Sequence, residues 1–293
     1  MLGAIPPLGK PQMEHCMRCL ICCATGSALI LLLLGEAAAQ RSQLLKNVEL
    51  CNGVDRTSPD IQIDGCTALI NSGEPMPQAL VIAYNNRGNA YTTKGEYDRA
   101  VQDYDQSIKL NPNYARAFNN RGVAYQKKGD YDRAISDFDE SINLDPNYVS
   151  AFANRAETYL SKGEYERAVR DYDEAIRLKP TLEALWNGRC WSKAVIGELQ
   201  AALSDCNEAL RLEPNVGAPF DSRGLIYLRM RLWDLAIDDY SSALRLDSKL
   251  ASSLYGRGLA KLKNGDKAGD ADIAAAKAIE TTIVRDFARY GVQ

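Results

Sequence analysis

An all-α fold built from repeated helical hairpins is the class this sequence predicts, and three observations predict it. An arginine followed by a small residue recurs at Arg87-Gly88, Arg121-Gly122, Arg155-Ala156, Arg189-Cys190, Arg223-Gly224 and Arg257-Gly258, every interval being 34 residues. Within a unit the apolar and small positions fall at i, i+4 and i+7, as Phe118, Gly122 and Tyr125 do, which is the spacing of one helix face. Turn residues punctuate at matching points: Gly129 divides one unit, and Pro112, Pro146, Pro180 and Pro214 close four of them. Self-similarity at such a period signals stacked supersecondary units.

Taken in order, the chain opens differently. Lys10 and Arg18 precede an apolar run of fifteen residues, Leu20–Leu34, and "GEAAAQ" follows with Ala37 and Ala39 spaced as a small-residue cleavage site. Residues 1–39 match a secretory signal peptide cleaved after Ala39, and the run is short for a permanent span. An uncleaved anchor is the alternative, and Met17 offers a second start. Cys16, Cys19, Cys22 and Cys23 lie in or beside this segment and read as small hydrophobes rather than metal ligands. Processing there also removes His15, the only histidine, and with it every mechanism built on imidazole. The mature protein is therefore expected in a secreted, periplasmic setting.

Residues 40–80 read as a divergent hairpin, since "IDGCTALI" (63–70) aligns with "VQDYDQSI" (101–108). Six units follow, at 81–114, 115–148, 149–182, 183–216, 217–250 and 251–282. The fourth has Lys193 and Cys206 where rings are expected, and the fifth has Arg231 at the turn glycine. The sixth needs one inserted residue near "KAGDAD" to bring Ala271, Ala275 and Ala278 into line. The last stretch, 283–293, is amphipathic and reads as a capping helix over the final hairpin.

Small residues on each first helix (Gly88, Gly122, Ala156, Gly224, Gly258) are expected to face Ala100, Ala134, Ala168 and Ala236 on the second. The rings of Tyr104, Phe138, Tyr172 and Tyr240 then fill the space to the next hairpin. Asp103, Asp137, Asp171, Asp205 and Asp239 recur with the arginines, so they predict an Arg–Asp ladder within the hairpins rather than acid–base catalysis.

This order of aromatic, small residue, tyrosine, turn glycine, alanine, aromatic and proline resembles the tetratricopeptide repeat (TPR). The resemblance implies a solenoid of antiparallel helix hairpins in a right-handed superhelix, with ligands held along a concave groove of first helices. Carried onto this chain, the groove residues are Asn85, Asn89, Thr92, Asn119, Gln126 and Lys127, a polar stretch. Leu160, Trp191, Val195, Leu225, Leu228, Arg229, Leu259 and Leu262 follow and are mostly apolar. An extended peptide suits that gradient, its backbone on the amides and its side chains on Trp191 and the leucines. The alternative is that part of the apolar half packs against the capping helix or a second protomer. Asn89 and Asn120 match two amides of the family's carboxylate clamp, but Asn85, Ser150 and Asn154 replace its cations, so that ligand is not expected.

By the same alignment Cys51 and Cys66, and Cys190 and Cys206, face each other within single hairpins, 15 and 16 residues apart. In an oxidising compartment they predict two disulfides, the alternative being four reduced core cysteines. With a net charge of −3 and acids interleaved with bases, the chain offers no stripe for nucleic acid. No cofactor or metal is expected, "GDKAGD" and "YGRGLA" being no phosphate loops. The sequence thus predicts a non-enzymatic scaffold of the bacterial envelope that binds a protein or peptide, touching membrane only through an uncleaved signal. Homo-oligomerisation through the apolar half-groove is the rival reading.

Overall fold

The computed structural model describes residues 39–53, 58–73 and 77–292, which form fifteen α-helices and no strand. The expected signal, His15 and the first four cysteines lie outside the described residues. Among those described, no helix is long and apolar enough to cross a membrane. The chain divides into two compact units, 1–96 and 97–293.

The first unit contains α1 (39–51), α2 (Pro59–Asn71) and α3 (Pro77–Thr93). Ser58 starts α2 by accepting from the Ile61 amide, and Pro59 follows at a position where no amide is needed. Gly65 lets α1 and α2 touch, since a Cβ there would lie 2.6 Å from that of Leu50. Cys51, Cys66, Leu69 and Ala83 form its buried centre.

The second unit starts with α4 (Tyr97–Leu110) and continues as five hairpins. These are α5 (Ala115–Lys127) with α6 (Tyr131–Leu144), α7 (Val149–Lys162) with α8 (Tyr165–Leu178), and α9 (Glu183–Ile196) with α10 (Leu199–Leu212). Then come α11 (Gly217–Arg229) with α12 (Trp233–Leu246), α13 (Ala251–Lys263) with α14 (Gly269–Ile279), and finally α15 (Ile283–Arg289). Each first helix touches the first helix of the next hairpin, whereas successive second helices do not touch. First helices therefore line the inner, concave side of this unit.

The packing logic is legible at single residues. Phe138 and Tyr240 are fully buried and Tyr172 nearly so. The closest neighbour of Gly122 is the Phe138 ring, 2.7 Å from where a Cβ would sit, so the ring rather than Ala134 is what the glycine admits. Tyr240 lies against Gly224 of its own hairpin and Gly256 of the next, and Tyr172 against Gly188 of the next. Tyr172 and Tyr240 are thus sealed by a neighbouring unit, which no hairpin achieves alone. Gly122→Ala should lower stability by about 1 kcal/mol in urea unfolding, because overpacking a sealed ring outweighs alanine's helix propensity.

Charge is handled with the same period. Arg121 donates two bonds to Asp137 of its own hairpin, at 2.9 and 2.7 Å, and a third to Asp105 of the preceding one at 2.6 Å. Arg155 repeats this with Asp171 and Asp139, and Arg189 with Asp205 and Asp173. Arg223 uses Asp239 and Asn207. The ladder therefore ties hairpins to each other as well as helix to helix.

Two register details differ from expectation. In the sixth unit Arg257 grips Asp272, 15 residues on instead of 16, so one residue is missing rather than inserted. Gly269, not Ala271, takes the small position, and a Cβ on Gly258 would lie 2.8 Å from the Gly269 carbonyl oxygen. At the fifth turn Arg231 adopts the left-handed backbone, φ 62°, that Gly95, Gly129, Gly163, Gly197 and Gly265 provide elsewhere. The turn keeps its hydrogen bonds, Arg231 N–H to the Leu228 carbonyl at 3.1 Å and Leu232 N–H to that of Tyr227 at 2.9 Å.

Candidate ligand-binding face

The expected groove residues divide into three groups. Asn85 and Asn119 are buried, contrary to a role in bonding a ligand's backbone. Within the first unit Asn85 donates to Asn86 and Asn86 to Asn52; within the second Asn119 donates to Asn120, and Asn154 donates to Asn119 at 2.9 Å. These amides join neighbouring helices, because a buried amide is tolerated only when bonded. Asn89 is half-buried, and Thr92 turns its hydroxyl back on the Gly88 carbonyl.

The second group remains accessible. Lys127 is exposed and Gln126 half-exposed on α5, and Leu160 is half-buried on α7. Further along, Val195 is half-buried and Leu262 lies at the edge of exposure.

The third group is covered by the chain itself. Leu225 and Leu228 are buried in one cluster with Tyr255, Ile283 and Phe287, and Trp191 and Leu259 pack against it. Tyr290 stands edge-on to Trp191, ring centres 4.8 Å apart, and Phe287 meets Tyr255 at the same distance. Arg289 reaches the turn at Gly163. The segment from α15 onward therefore does more than cap the last hairpin: it runs along the concave side from α13 past α9 to the end of α7. Trp191, Leu225, Leu228 and Leu259, expected to take a ligand's side chains, take those of residues 283–290 instead.

Electrostatics single out two residues. Arg229 is half-buried with no carboxylate partner among the described residues; it donates to the Ala194 and Val195 carbonyls, and burial lowers its pKa. Asp221 on α11 lies where other units carry Asn85, Asn119 and Asn187. Burial lifts its carboxyl from 3.8 to about 6, opposed by hydrogen bonds from Ser253 and Ser252, and no cation pairs with it. The buried Tyr240 hydroxyl, without a hydrogen-bond partner among the described residues, is raised further by its proximity. The native state thus holds a proton on Asp221 that the unfolded chain has lost, and stability falls as pH rises from about 4 to 6. Asp221→Asn should remove that dependence. Thermal melts should show a gain on the order of 2 kcal/mol at pH 7 and little at pH 4.

Two cysteine pairs lie at bonding distance, each within one hairpin. The sulfurs of Cys51 and Cys66 are 2.06 Å apart, and those of Cys190 and Cys206 are 1.96 Å apart. Lys193, which replaces a ring, joins the ladder by donating to Asp205 at 2.9 Å. Among the described residues no group of His, Cys, Asp and Glu could hold a metal ion.

Stacked helical hairpins with first helices along one concave wall define the class as an α-helical repeat solenoid. Comparison with family profiles is consistent with this: "TPR repeat" matches 88–129, and "Tetratricopeptide repeat" matches 115–148, 149–182 and 222–283, together more than half of the chain. The chain belongs to the tetratricopeptide-repeat family. Solved structures agree in fold. A tetratricopeptide repeat protein from Parabacteroides merdae superposes at TM-score 0.65 and 16% identity, covering 85% of this chain and 99% of its own. Pseudomonas aeruginosa pilF gives 0.58 and 18%, covering 73% and 96%. YrrB, described as a TPR protein with an unusual peptide-binding site, gives 0.50 and 17%, covering 62% and 94%. A comparison with curated proteins finds no match.

Proposed function

We propose that this protein is a non-enzymatic scaffold that binds a protein or peptide along the concave wall of its second unit. The observation that carries this reading is the path of residues 283–290, a short amphipathic stretch already seated on that wall through Ile283, Phe287 and Tyr290. A surface that holds one polypeptide segment by rings and leucines has the chemistry to hold another. The periodic buried carboxylates support the same reading, since Asp137, Asp171, Asp205 and Asp239 are held by arginines as part of the repeat. The peptide-binding site named for YrrB is a property of that protein and lends precedent on the same fold.

The cell envelope is the setting we assign it, with secretion directed by residues 1–39. The apolar run at Leu20–Leu34 and two cysteine pairs at bonding distance support an oxidising compartment such as the periplasm. A photo-crosslinking residue at Gln126, on the inner wall, should capture a polypeptide in native envelopes that the same residue at Glu140, on the outside, does not. Equal capture at both positions would overturn the assignment.

A further inference from the structure

Beside the end of the seated segment lies a pocket of about 380 Å³ lined by Leu228, Arg229, Arg231, Trp233, Leu259 and Lys263, with Gly291 and Val292 of the segment itself. Three cations share this lining and no acid does. Neither Arg231 nor Lys263 has a carboxylate partner among the described residues, in a chain where most arginines on first helices hold one or two. The pocket also departs from the repeat at a cost. Arg231 stands where every other turn of this kind has glycine, in a backbone conformation that penalises a side chain. Asp286 is the only acidic side chain in 283–292, and it accepts from Thr282 at 2.7 Å.

We infer that the groove is built for a partner segment whose short helix places apolar residues at i, i+4 and i+7, as Ile283, Phe287 and Tyr290 do, and which then turns through a left-handed residue, as Gly291 does at φ 76°, to place an acidic residue two positions beyond the last. The inference rests on the groove reading above and specifies its ligand. The apolar anchors fill the Leu225, Leu228, Tyr255 and Trp191 surface, and the acid enters between Arg229, Arg231 and Lys263. Residues 283–292 make the first set of contacts without the second. They therefore occupy the groove as an incomplete ligand that a complete one displaces, helped by charge complementarity over a few ångströms.

The test uses two fluorescein-labelled, C-terminally amidated peptides, residues 281–292 of this chain and the same peptide with Val292→Glu, titrated into the full chain carrying Phe287→Asp to release its own segment. The acidic peptide should bind about tenfold more tightly, and the advantage should shrink as salt is raised. Arg231→Gly in the same chain should abolish the advantage while raising the unfolding midpoint by about 2–4 °C, so that lost binding cannot be ascribed to lost structure. In the unaltered chain, excess acidic peptide should shift tryptophan emission through Trp191 and Trp233 while the native peptide does not; this titration decides the matter if Phe287→Asp fails to fold. Equal affinities, or an advantage that survives Arg231→Gly, would overturn the inference and leave the groove intact. Failure of both peptides to bind would remove the groove reading as well.

Discussion

Asp205→Asn should destabilise the protein by about 3–5 kcal/mol, the largest effect expected of any single polar substitution here. Asp205 is 4% exposed and is the meeting point of two cations: Arg189 donates to it at 2.8 and 2.7 Å, and Lys193 at 2.9 Å. Asparagine keeps the shape but removes the charge and turns a donor toward donors. Two largely buried cations are then left with only Asp173, which is half-exposed. Breaking one side of a buried pair costs far more than the pair contributes, because the remaining charge has lost its hydration. Asp173→Asn supplies the comparison: its bond to Arg189 lies near solvent and should be worth less than about 1 kcal/mol. Urea midpoints of the two variants should differ accordingly, and a larger loss from Asp173→Asn would contradict the ladder described above.

Reduction of the two cysteine pairs is the second large effect. If both are bonded, intact mass under non-reducing conditions should fall about four mass units below that of the free thiols. Reducing agent should then lower stability by about 3 kcal/mol for each closed loop of this size. The loss should not spread evenly. The Cys190–Cys206 pair stands in a hairpin without the two rings, where Ala194, Ala202 and Ile226 complete the core. Hydrogen exchange after reduction should therefore accelerate first in α9 and α10, and in α1 and α2, before α5 to α8. Four free thiols in protein purified from its own envelope would remove the oxidising compartment from the proposal.

Much of the fold could be read from residue types because local chemistry repeats. Glycine at Gly129 and Gly163, proline at Pro146 and Pro180, and an Arg–Asp spacing of 16 each report a local geometry that recurs in most units. The site was harder, for identifiable physical reasons. The polarity of Asn85 and Asn119 suggested contact with ligand, yet amides satisfy one another, and polarity alone does not distinguish an exposed amide from one bonded to its neighbour. The amphipathic pattern of 283–290 shows that one side must be buried but not against which surface. Only the Trp191–Tyr290 contact reveals that it crosses to α9. The sixth unit misled because alanine is frequent there, and the anchor that fixes register is Asp272, which the alanine pattern does not mark. Arg231 was legible as a departure from glycine, while its pocket depended on residues 60 positions downstream, at Gly291 and Val292.

The three-way grip of each arginine has a consequence for how such a molecule changes length over generations. Asp105 reaches forward to Arg121, Asp139 to Arg155 and Asp173 to Arg189, while each arginine closes on an aspartate of its own unit. Each 34-residue brick between 115 and 216 therefore carries one connector for the brick ahead and one socket for the brick behind. A duplicated stretch of gene would arrive with fasteners already matched at both ends, so growth or shortening by whole bricks requires no compensating change elsewhere.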